Sequence, residues 1–253
     1  MSTRFWSLVI DSADVSSQAR FWSEVTGWPV TYETPEEVVV EPPDDASGRP
    51  AEPGFPLVFV AVDDPKMGKN KVHIDLNAGS AEHQAELVDR ARRAGATPLD
   101  IGQGAVPWVV LADPEGNEFC VLDHRATYDD AGVIAAVVLD VPDPEASAAF
   151  WTEATGWPVV GADDNSRSLA PPTGRGPRLE LLQVDDPKVA KDRVHVDVAP
   201  YPDDDQAAEV ERLRRLGATD TDVGQGAQTW VVLSDPDGHE FCVLSPRPDP
   251  GEG

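Results

Sequence analysis

A ten-residue segment occurs twice in this chain of 253 residues, as DPEGNEFCVL at 113–122 and as DPDGHEFCVL at 235–244. Each copy contains one of the chain's two cysteines, Cys120 and Cys242. Two further pairs of segments, RFWSEVTGWPV with AFWTEATGWPV and DDPKMGKNKVHIDL with DDPKVAKDRVHVDV, extend the similarity over most of the chain. The sequence is therefore a tandem duplication, and its fold has to be built from two related halves.

The matched segments also show where the halves differ in length. The Pro/Gly-rich stretch EPPDDASGRPAEPGFP at 41–56 is matched by the shorter APPTGRGP at 170–177, which is typical of a surface loop. We predict one domain over residues 1–126 and a second over residues 130–246. The Pro/Gly-rich composition of residues 247–253 predicts a disordered tail.

Within each half the hydrophobic period alternates between that of a strand and that of a helix. Residues 5–11 alternate as a strand does, and residues 14–27 have helical spacing between a capping Asp and a closing Gly. A second helix is predicted at 80–94, with Ala85, Val88 and Ala91 on its inward side. The other strands of the first half are predicted at 28–31, 37–41, 57–62, 71–77, 97–101, 108–112 and 118–122.

Each half thus has the pattern βαβββ twice. This predicts an α+β fold of four such modules, in which helices cover one face of curved mixed sheets. The opposite face of the sheets is predicted to carry His73, Asp75, Asn77, Glu118, Cys120 and Leu122. These faces either contact solvent or line a cup.

The composition limits the partners of the chain. Acidic side chains outnumber basic ones by 46 to 20, which gives a formal net charge of −26. A field of this sign repels phosphates and anionic lipids, so we expect neither nucleic acid nor a membrane as partner. The sequence lacks a long apolar run and the pattern of a secretory signal, so we expect a cytoplasmic protein. A solvated acidic surface is the favoured interpretation of the charge, ahead of attraction for a cationic ligand.

Three pairs of segments resemble the vicinal oxygen chelate superfamily, which includes glyoxalase I, extradiol dioxygenases and bleomycin-resistance proteins. They are FWSEVTGW and FWTEATGW after the first helix, VHIDL and VHVDV on the fifth strand, and the ten-residue repeats on the last strand. The combination of GQGAVPWVVLADPEGNEFCVL with KNKVHIDL is most similar to a bacterial glyoxalase-like subgroup. The resemblance implies two tandem glyoxalase-like domains whose paired modules form a cup around a divalent metal, although this fold hosts many chemistries.

The resemblance also implies where metal ligands would stand. Glyoxalase-type sites draw histidine, glutamate, histidine and glutamate from the first, fourth, fifth and eighth strands of the motif. These positions fall on Ser7, Val58, His73 and Cys120 in the first copy, and on Ala136, Glu180, His195 and Cys242 in the second. We therefore expect no full glyoxalase-type centre and a protein without a cofactor.

The alternative is a divalent metal near Glu180, with His73 or His195 as a second ligand. A carboxylate, an imidazole and a thiolate together suit zinc. If the two copies exchange modules, Glu180 meets His73 and Cys120. If each copy is self-contained, it meets His195 and Cys242.

The fifth and last strands also suggest acid–base chemistry. In each copy a histidine and an aspartate stand two positions apart on one strand face, near the cysteine of the last strand. One interpretation is a histidine base that is oriented by the carboxylate and activates the thiol; the other is an inactive groove with an inert buried cysteine. The candidate catalytic residues are His73, Asp75, Cys120, His195, Asp197 and Cys242.

A small organic molecule is the partner that these features favour. The residues expected to contact it are Ser7, Trp108, Glu118, Trp230 and Glu240. Trp108 and Trp230 fit an aromatic pocket for a planar or cationic compound, and they also fit a core. We predict binding of the sequestration or resistance type, with a lyase or isomerase as the alternative. A third hypothesis makes one copy purely structural or the whole chain an interaction module. The chain is expected to be a monomer or a homodimer.

Overall fold

The computed structural model describes residues 3–44, 50–51 and 53–248. The predicted tail lies outside this description from residue 249 onward, as do residues 45–49 and 52 of the predicted loop. In the first half the elements are β1 (Thr3–Ser12), α1 (Val15–Thr26), β2 (Val30–Glu33), β3 (Glu37–Val40), β4 (Leu57–Ala61), β5 (Val72–Leu76), α2 (Ala81–Ala94), β6 (Thr97–Pro98), β7 (Val109–Ala112) and β8 (Glu118–Val121).

A short 3-10 helix, Ala126–Tyr128, joins the halves. In the second half the elements are β9 (Ile134–Val141), α3 (Pro144–Thr155), β10 (Val159–Ala162), β11 (Ser166–Leu169), β12 (Arg178–Gln183), β13 (Val194–Pro200), α4 (Gln206–Arg215), β14 (Thr219–Asp220), β15 (Val231–Ser234) and β16 (Glu240–Val243). The predicted βαβββ pattern, repeated in each half, is confirmed.

The helix boundaries have the capping chemistry that the sequence predicts. The Asp14 side chain accepts a hydrogen bond from the Ser17 amide at 3.0 Å, and Gly27 ends α1 in the left-handed region at φ 81°. The prediction that Ala85 lies on the inward side of α2 is wrong. Ala85 is exposed, because the buried side of this helix is formed by Leu87, Val88 and Ala91.

The strands form two eight-stranded mixed sheets, and each sheet contains strands of both halves. The first sheet has the order β14-β15-β16-β13-β1-β4-β3-β2, and the second has the order β10-β11-β12-β9-β5-β8-β7-β6. The first module of the chain therefore shares a sheet with the fourth, and the second shares a sheet with the third. The two halves exchange modules.

Antiparallel pairs at the centre of each sheet join the halves. In the first sheet β1 pairs with β13, which places Ser7 opposite Asp197. In the second sheet β9 pairs with β5, which places Ala136 opposite Asp75. The same register in both sheets gives the molecule two composite sites with related geometry.

All four helices contribute to one core between the sheets. This core cluster takes buried side chains from both sheets and from α1, α2, α3 and α4. Helix α1 packs on β3 and β4 of the first sheet. Its Trp22 ring also lies 5.2 Å from the ring of Phe119 on the second sheet. Trp151 on α3 and Phe241 on the first sheet form the corresponding contact at 5.5 Å. The helices therefore cover one face of each sheet and leave the opposite face as a cup.

Ion pairs cross the junction between the halves. Lys69 binds Asp140 at 2.6 Å and Lys71 binds Asp186 at 3.0 Å. A cleft of about 150 Å³ lies beside Lys71 and Asp186, between the loops at 67–71 and 186–193. A second cleft, of about 280 Å³, is lined by Asp11, Asp64 and Lys191 among others. No helix in the described part of the chain is long and apolar enough to cross a membrane.

Candidate functional site

The candidate catalytic residues gather in two clusters, one on each cup. The His195 cup is the face of the first sheet that carries His195 and Asp197 on β13 and Cys242 on β16. The His73 cup is the equivalent face of the second sheet, with His73 and Asp75 on β5 and Cys120 on β8. In each cluster one nitrogen, one carboxylate oxygen and one sulfur lie within 4.8 Å of one another.

Three side chains meet at one ring nitrogen in the His195 cup. The Nε2 atom of His195 lies 3.5 Å from the Sγ atom of Cys242 and 3.7 Å from the Oδ1 atom of Asp197. The hydroxyl of Ser7 donates a 2.9 Å hydrogen bond to the Oδ2 atom of Asp197. Ser7 therefore fixes the carboxylate from the neighbouring strand of the other half.

Burial sets the protonation of these groups. It lowers the pKa of His195 to about 4 and raises the pKa of Asp197 to about 7, against the hydrogen bond from Ser7. The pKa of Cys242 is well above its usual value because of burial and the nearby Asp197. At neutral pH this cup therefore presents a neutral imidazole and a protonated thiol.

The His73 cup has the same three groups. The Nε2 atom of His73 lies 3.5 Å from the Oδ1 atom of Asp75. Burial and the charge of Asp75 raise the pKa of Cys120 far above its usual value, so this thiol is protonated as well. A resting thiolate nucleophile is not present in either cup.

Several buried polar atoms in the cups have no hydrogen-bond partner within the described residues. They are the Oδ1 atoms of Asp75 and Asp197 and the Nδ1 atom of His195. Buried polar groups in native proteins nearly always have a partner, and each exception calls for an explanation. The Oδ1 atoms lie on the side that faces the histidine and the cysteine, and the cysteine thiol of each cup interacts with the aspartate beside it.

Glu180 lies in the His73 cup, outside the three-residue cluster. Its carboxylate accepts hydrogen bonds from the hydroxyls of Ser168 at 2.7 Å and Tyr128 at 2.9 Å. Burial raises the pKa of Glu180, and the charge of Asp75 adds to this shift. Because the halves exchange modules, Glu180 shares a sheet with His73 and is separated from His195.

Tyr128 is a site residue that the sequence did not reveal. It belongs to the short helix between the halves, and its buried ring packs against Cys120 and Val138 in the His73 cup. Arg178 lies over this ring at 5.4 Å. One sequence feature could have pointed to it. The segment after the first ten-residue repeat contains an aromatic residue, Tyr128, whereas the segment after the second repeat, SPRPDPGEG, contains none.

The two predicted aromatic residues lie on the cups. Trp108 packs half-buried against the small apolar cluster around Cys120, and Trp230 does so against the cluster around Cys242. The guanidinium of Arg125 lies 5.4 Å from the Trp108 ring. Each cup thus combines a half-buried indole with a buried polar cluster.

The carboxylates of Glu118 and Glu240 have partners of their own. Glu118 accepts hydrogen bonds from the Lys66 ammonium at 2.9 Å and from the backbone N–H of Asn70 at 3.1 Å. Glu240 accepts the equivalent hydrogen bonds from the Lys188 ammonium at 2.7 Å and from the backbone N–H of Asp192 at 3.0 Å. The predicted role of these glutamates in ligand binding stays a prediction, and the bonds seen here fix the preceding loops.

The glyoxalase-type ligand set does not fit either cup. The composite His73 cup supplies Ala136, Glu180, His73 and Cys120 at the four positions, and the composite His195 cup supplies Ser7, Val58, His195 and Cys242. Alanine and valine have no ligand atom. The His73 cup therefore keeps two of the four expected ligand residues, Glu180 and His73, and the His195 cup keeps one, His195.

Comparisons with known proteins agree with this architecture. The model of the glyoxalase-like domain family matches residues 7–122 and 136–244. Glyoxalase 1 of Caenorhabditis elegans is 25% identical over 144 residues, which is 54% of this chain and 49% of that protein, so the chain spans about half the length of this curated relative.

Solved structures show the same fold. The crystal structure of glyoxalase I from Zea mays aligns over 96% of this chain and 92% of its own, with a TM-score of 0.67 and 17% identity. A mutant form of the same maize protein aligns over 96% of this chain and 94% of its own, with a TM-score of 0.66 and 17% identity. With both halves matched by one family model, the chain belongs to the glyoxalase-like domain family.

Proposed function

We propose that this protein binds a small organic molecule in its composite cups and does not catalyse the glyoxalase I reaction. The role is of the sequestration or resistance type. The observation that carries the proposal is the combination, on each cup, of a half-buried tryptophan and a buried polar cluster. Small-molecule sites are usually apolar and aromatic, with a few polar groups that fix orientation.

The chemistry of the His195 cup indicates the class of ligand. A neutral imidazole and a protonated thiol offer hydrogen bonds without a fixed charge. Trp230 supplies an aromatic wall next to Val232 and Leu244. This combination favours a planar molecule that carries one or two polar groups and no net negative charge, since the chain itself has a formal charge of −26.

The proposal is tested by native mass spectrometry with a panel of neutral and cationic aromatic compounds. We expect at least one compound to bind and to be recovered intact, with reduced affinity in Trp108→Ala or Trp230→Ala. Met67→Ala is the matched control, because Met67 is exposed on a loop away from the cups. Conversion of the compound to a product, or binding that is indifferent to both tryptophans, would contradict the proposal.

A second candidate is a lyase or isomerase centred on Glu180. It is favoured by the buried carboxyl, whose pKa is raised by burial as in many general acids and bases, and by the hydroxyl of Tyr128 beside it. This candidate predicts turnover that is lost in Glu180→Gln while ligand binding is kept. Turnover that survives this substitution would exclude it.

A further inference from the structure

We propose that the two cups bind different ligands, and that one pair of cross-strand residues in each cup sets the difference. The His73 cup takes a planar molecule with a polar group at both ends, and the His195 cup takes one with a polar group at one end only. The pairs are Glu180 with Ser168 in the first and Val58 with Val39 in the second. The inference rests on the proposed binding function and names the ligand class of each cup.

Strand register places four residues in one row across the His73 cup. Direct partners on successive strands are Ser168 with Glu180, Glu180 with Val138 and Val138 with His73. Directly paired residues of neighbouring strands point to the same face of a sheet, so all four side chains lie on the cup face. The row has an imidazole at one end, an aliphatic side chain in the middle and a carboxyl with a hydroxyl at the other end.

The His195 cup has the equivalent row with one chemical change. Its direct partners are Val39 with Val58, Val58 with Val9 and Val9 with His195. The histidine and the central valine are kept, but two half-buried valines replace the carboxyl and the hydroxyl. This cup therefore has one polar end and one aliphatic end.

One oxygen of Glu180 is left for a ligand. The hydroxyls of Tyr128 and Ser168 both donate to its Oε1 atom, at 2.9 and 2.7 Å. The Oε2 atom accepts no hydrogen bond from the residues that the structure describes. Because the Glu180 side chain is only partly buried, a hydroxyl group of a bound molecule can reach this atom. The two protein hydroxyls hold the carboxyl in place, which reduces the entropy lost on binding.

The spacing of the polar ends fits a molecule of two fused rings. The strands of His73 and Glu180 are separated by β9. Since neighbouring strands lie about 4.8 Å apart, the backbones of these two residues are about 10 Å apart. A naphthalene with a substituent at each end is of this length, so its rings can lie over Val138 while both substituents reach the ends of the row.

A mismatch at the second end lowers affinity in either cup. A methyl group placed against Glu180 leaves a carboxyl oxygen that has lost water and gained no partner. A hydroxyl group placed against Val58 loses its hydrogen bonds to water in the same way. Because such an unpaired group weakens binding by about 10-fold or more, each cup should prefer its own ligand by at least that factor.

Equilibrium dialysis with two isosteric probes tests the inference. Naphthalene-2,6-diol has a hydroxyl at each end, and 6-methyl-2-naphthol has a methyl group in place of one of them. We expect one tight site per chain for each probe and no competition between the two at these sites, because they occupy different cups. Each probe should bind the other cup at least about 10-fold more weakly.

Exchanging the residue pairs should exchange the preferences. Glu180→Val with Ser168→Val copies the His195 cup, and this variant should have no tight site for the diol and two for the methyl compound. Val58→Glu with Val39→Ser copies the His73 cup and should have the reverse pattern. Circular dichroism identifies an exchange variant that does not fold, and the other variant then gives the result.

Matched controls make the same changes of residue type outside the cups. They are Glu86→Val on α2 and Val189→Glu on an exposed loop, and neither should alter the binding of either probe. Competition for one tight site, or a folded exchange variant with unchanged preferences, would overturn the inference and leave the proposed function standing. Failure of both probes to bind, while another aromatic compound binds, would also overturn it. Failure of every aromatic compound would contradict the proposed function itself.

Discussion

The hydroxyl of Tyr128 donates a 2.9 Å hydrogen bond to the carboxylate of Glu180, and so the segment that joins the two halves closes part of one cup. Glu180 belongs to the second half, and the strand with His73 belongs to the first. The connecting segment therefore makes the two cups unequal. At the position equivalent to Glu180, the His195 cup has Val58.

Tyr128→Phe should destabilise the protein by about 1–2 kcal/mol, because it leaves a buried carboxyl with one hydrogen bond fewer. Urea denaturation followed by tryptophan fluorescence measures this loss. Tyr201→Phe, at an exposed tyrosine, is the control and should change the unfolding free energy by less than about 0.5 kcal/mol. Equal effects of the two substitutions would show that the Tyr128 hydrogen bond contributes nothing specific.

The two cysteines should react slowly with alkylating reagents. Both thiols are buried and have raised pKa values, and the thiolate is the reactive form. We expect alkylation by iodoacetamide at pH 8 to be at least about 100-fold slower in folded than in denatured protein. Fast alkylation of Cys242 that is lost in His195→Ala would instead indicate an activated nucleophile.

Asp197→Asn should stabilise the protein at pH 8. The carboxylate is buried 3.7 Å from the Nε2 atom of His195, an imidazole whose lowered pKa keeps it neutral, and no lysine or arginine among the described residues forms an ion pair with it. Replacing it by a neutral amide removes a desolvation cost of roughly 1–3 kcal/mol. Urea denaturation at pH 8 measures the change. A loss of stability would show that the hydrogen bonds of the carboxylate outweigh its desolvation cost.

A buried ion pair in the second half should make stability depend on pH. The Nδ1 atom of His239 lies 2.9 Å from the Oδ2 atom of Asp192. Burial opposes the charge on His239, but this hydrogen bond and the charge of Asp235 outweigh it and raise the pKa to about 9. Since the folded pKa exceeds the unfolded value of about 6.5, the stabilisation is complete below about pH 6.5 and is lost as the pH rises through about 9.

We therefore expect the free energy of unfolding to fall by roughly 2–3 kcal/mol between pH 6.5 and 9.5 because of this pair. The first half provides a matched control, because Asn70 and Asn117 form a 3.0 Å hydrogen bond at the equivalent positions. The double variant Asp192→Asn with His239→Asn copies this neutral pair and should lose that part of the pH dependence. An unchanged pH profile would refute the assignment.

Separated halves should not be folded monomers. The strand β1 has its antiparallel partner β13 in the other half, and β9 has its partner β5. A fragment of residues 1–128 should therefore either dimerise, with each copy supplying the missing module, or remain unfolded. Light scattering after gel filtration distinguishes these states. A folded monomeric fragment would contradict the observed exchange of modules.

The sequence predicts where the helices and strands lie better than it predicts which strands pair. Periodicity and capping residues locate α1 and β5 to within a few residues, because these signals are local. They do not tell whether β1 pairs with β5 or with β13, since VHIDL and VHVDV have the same alternation. Pairing is decided by how the whole chain packs its helices between two sheets.

In the candidate site, too, the residues on periodic strands could be predicted and the residue on a connecting segment could not. His73, Asp75 and Cys120 were identified from strand alternation and from the repeat, and the structure brings them together. Tyr128 was missed, because a residue in a connecting segment has no periodic pattern and here has no counterpart in the other copy.

The most direct test of the account is a crystal structure of the protein with a neutral or cationic aromatic compound that it binds. The account predicts the compound on a cup, against Trp108 or Trp230, in sheets that contain strands from both halves. A compound bound elsewhere, or sheets built from one half each, would contradict it.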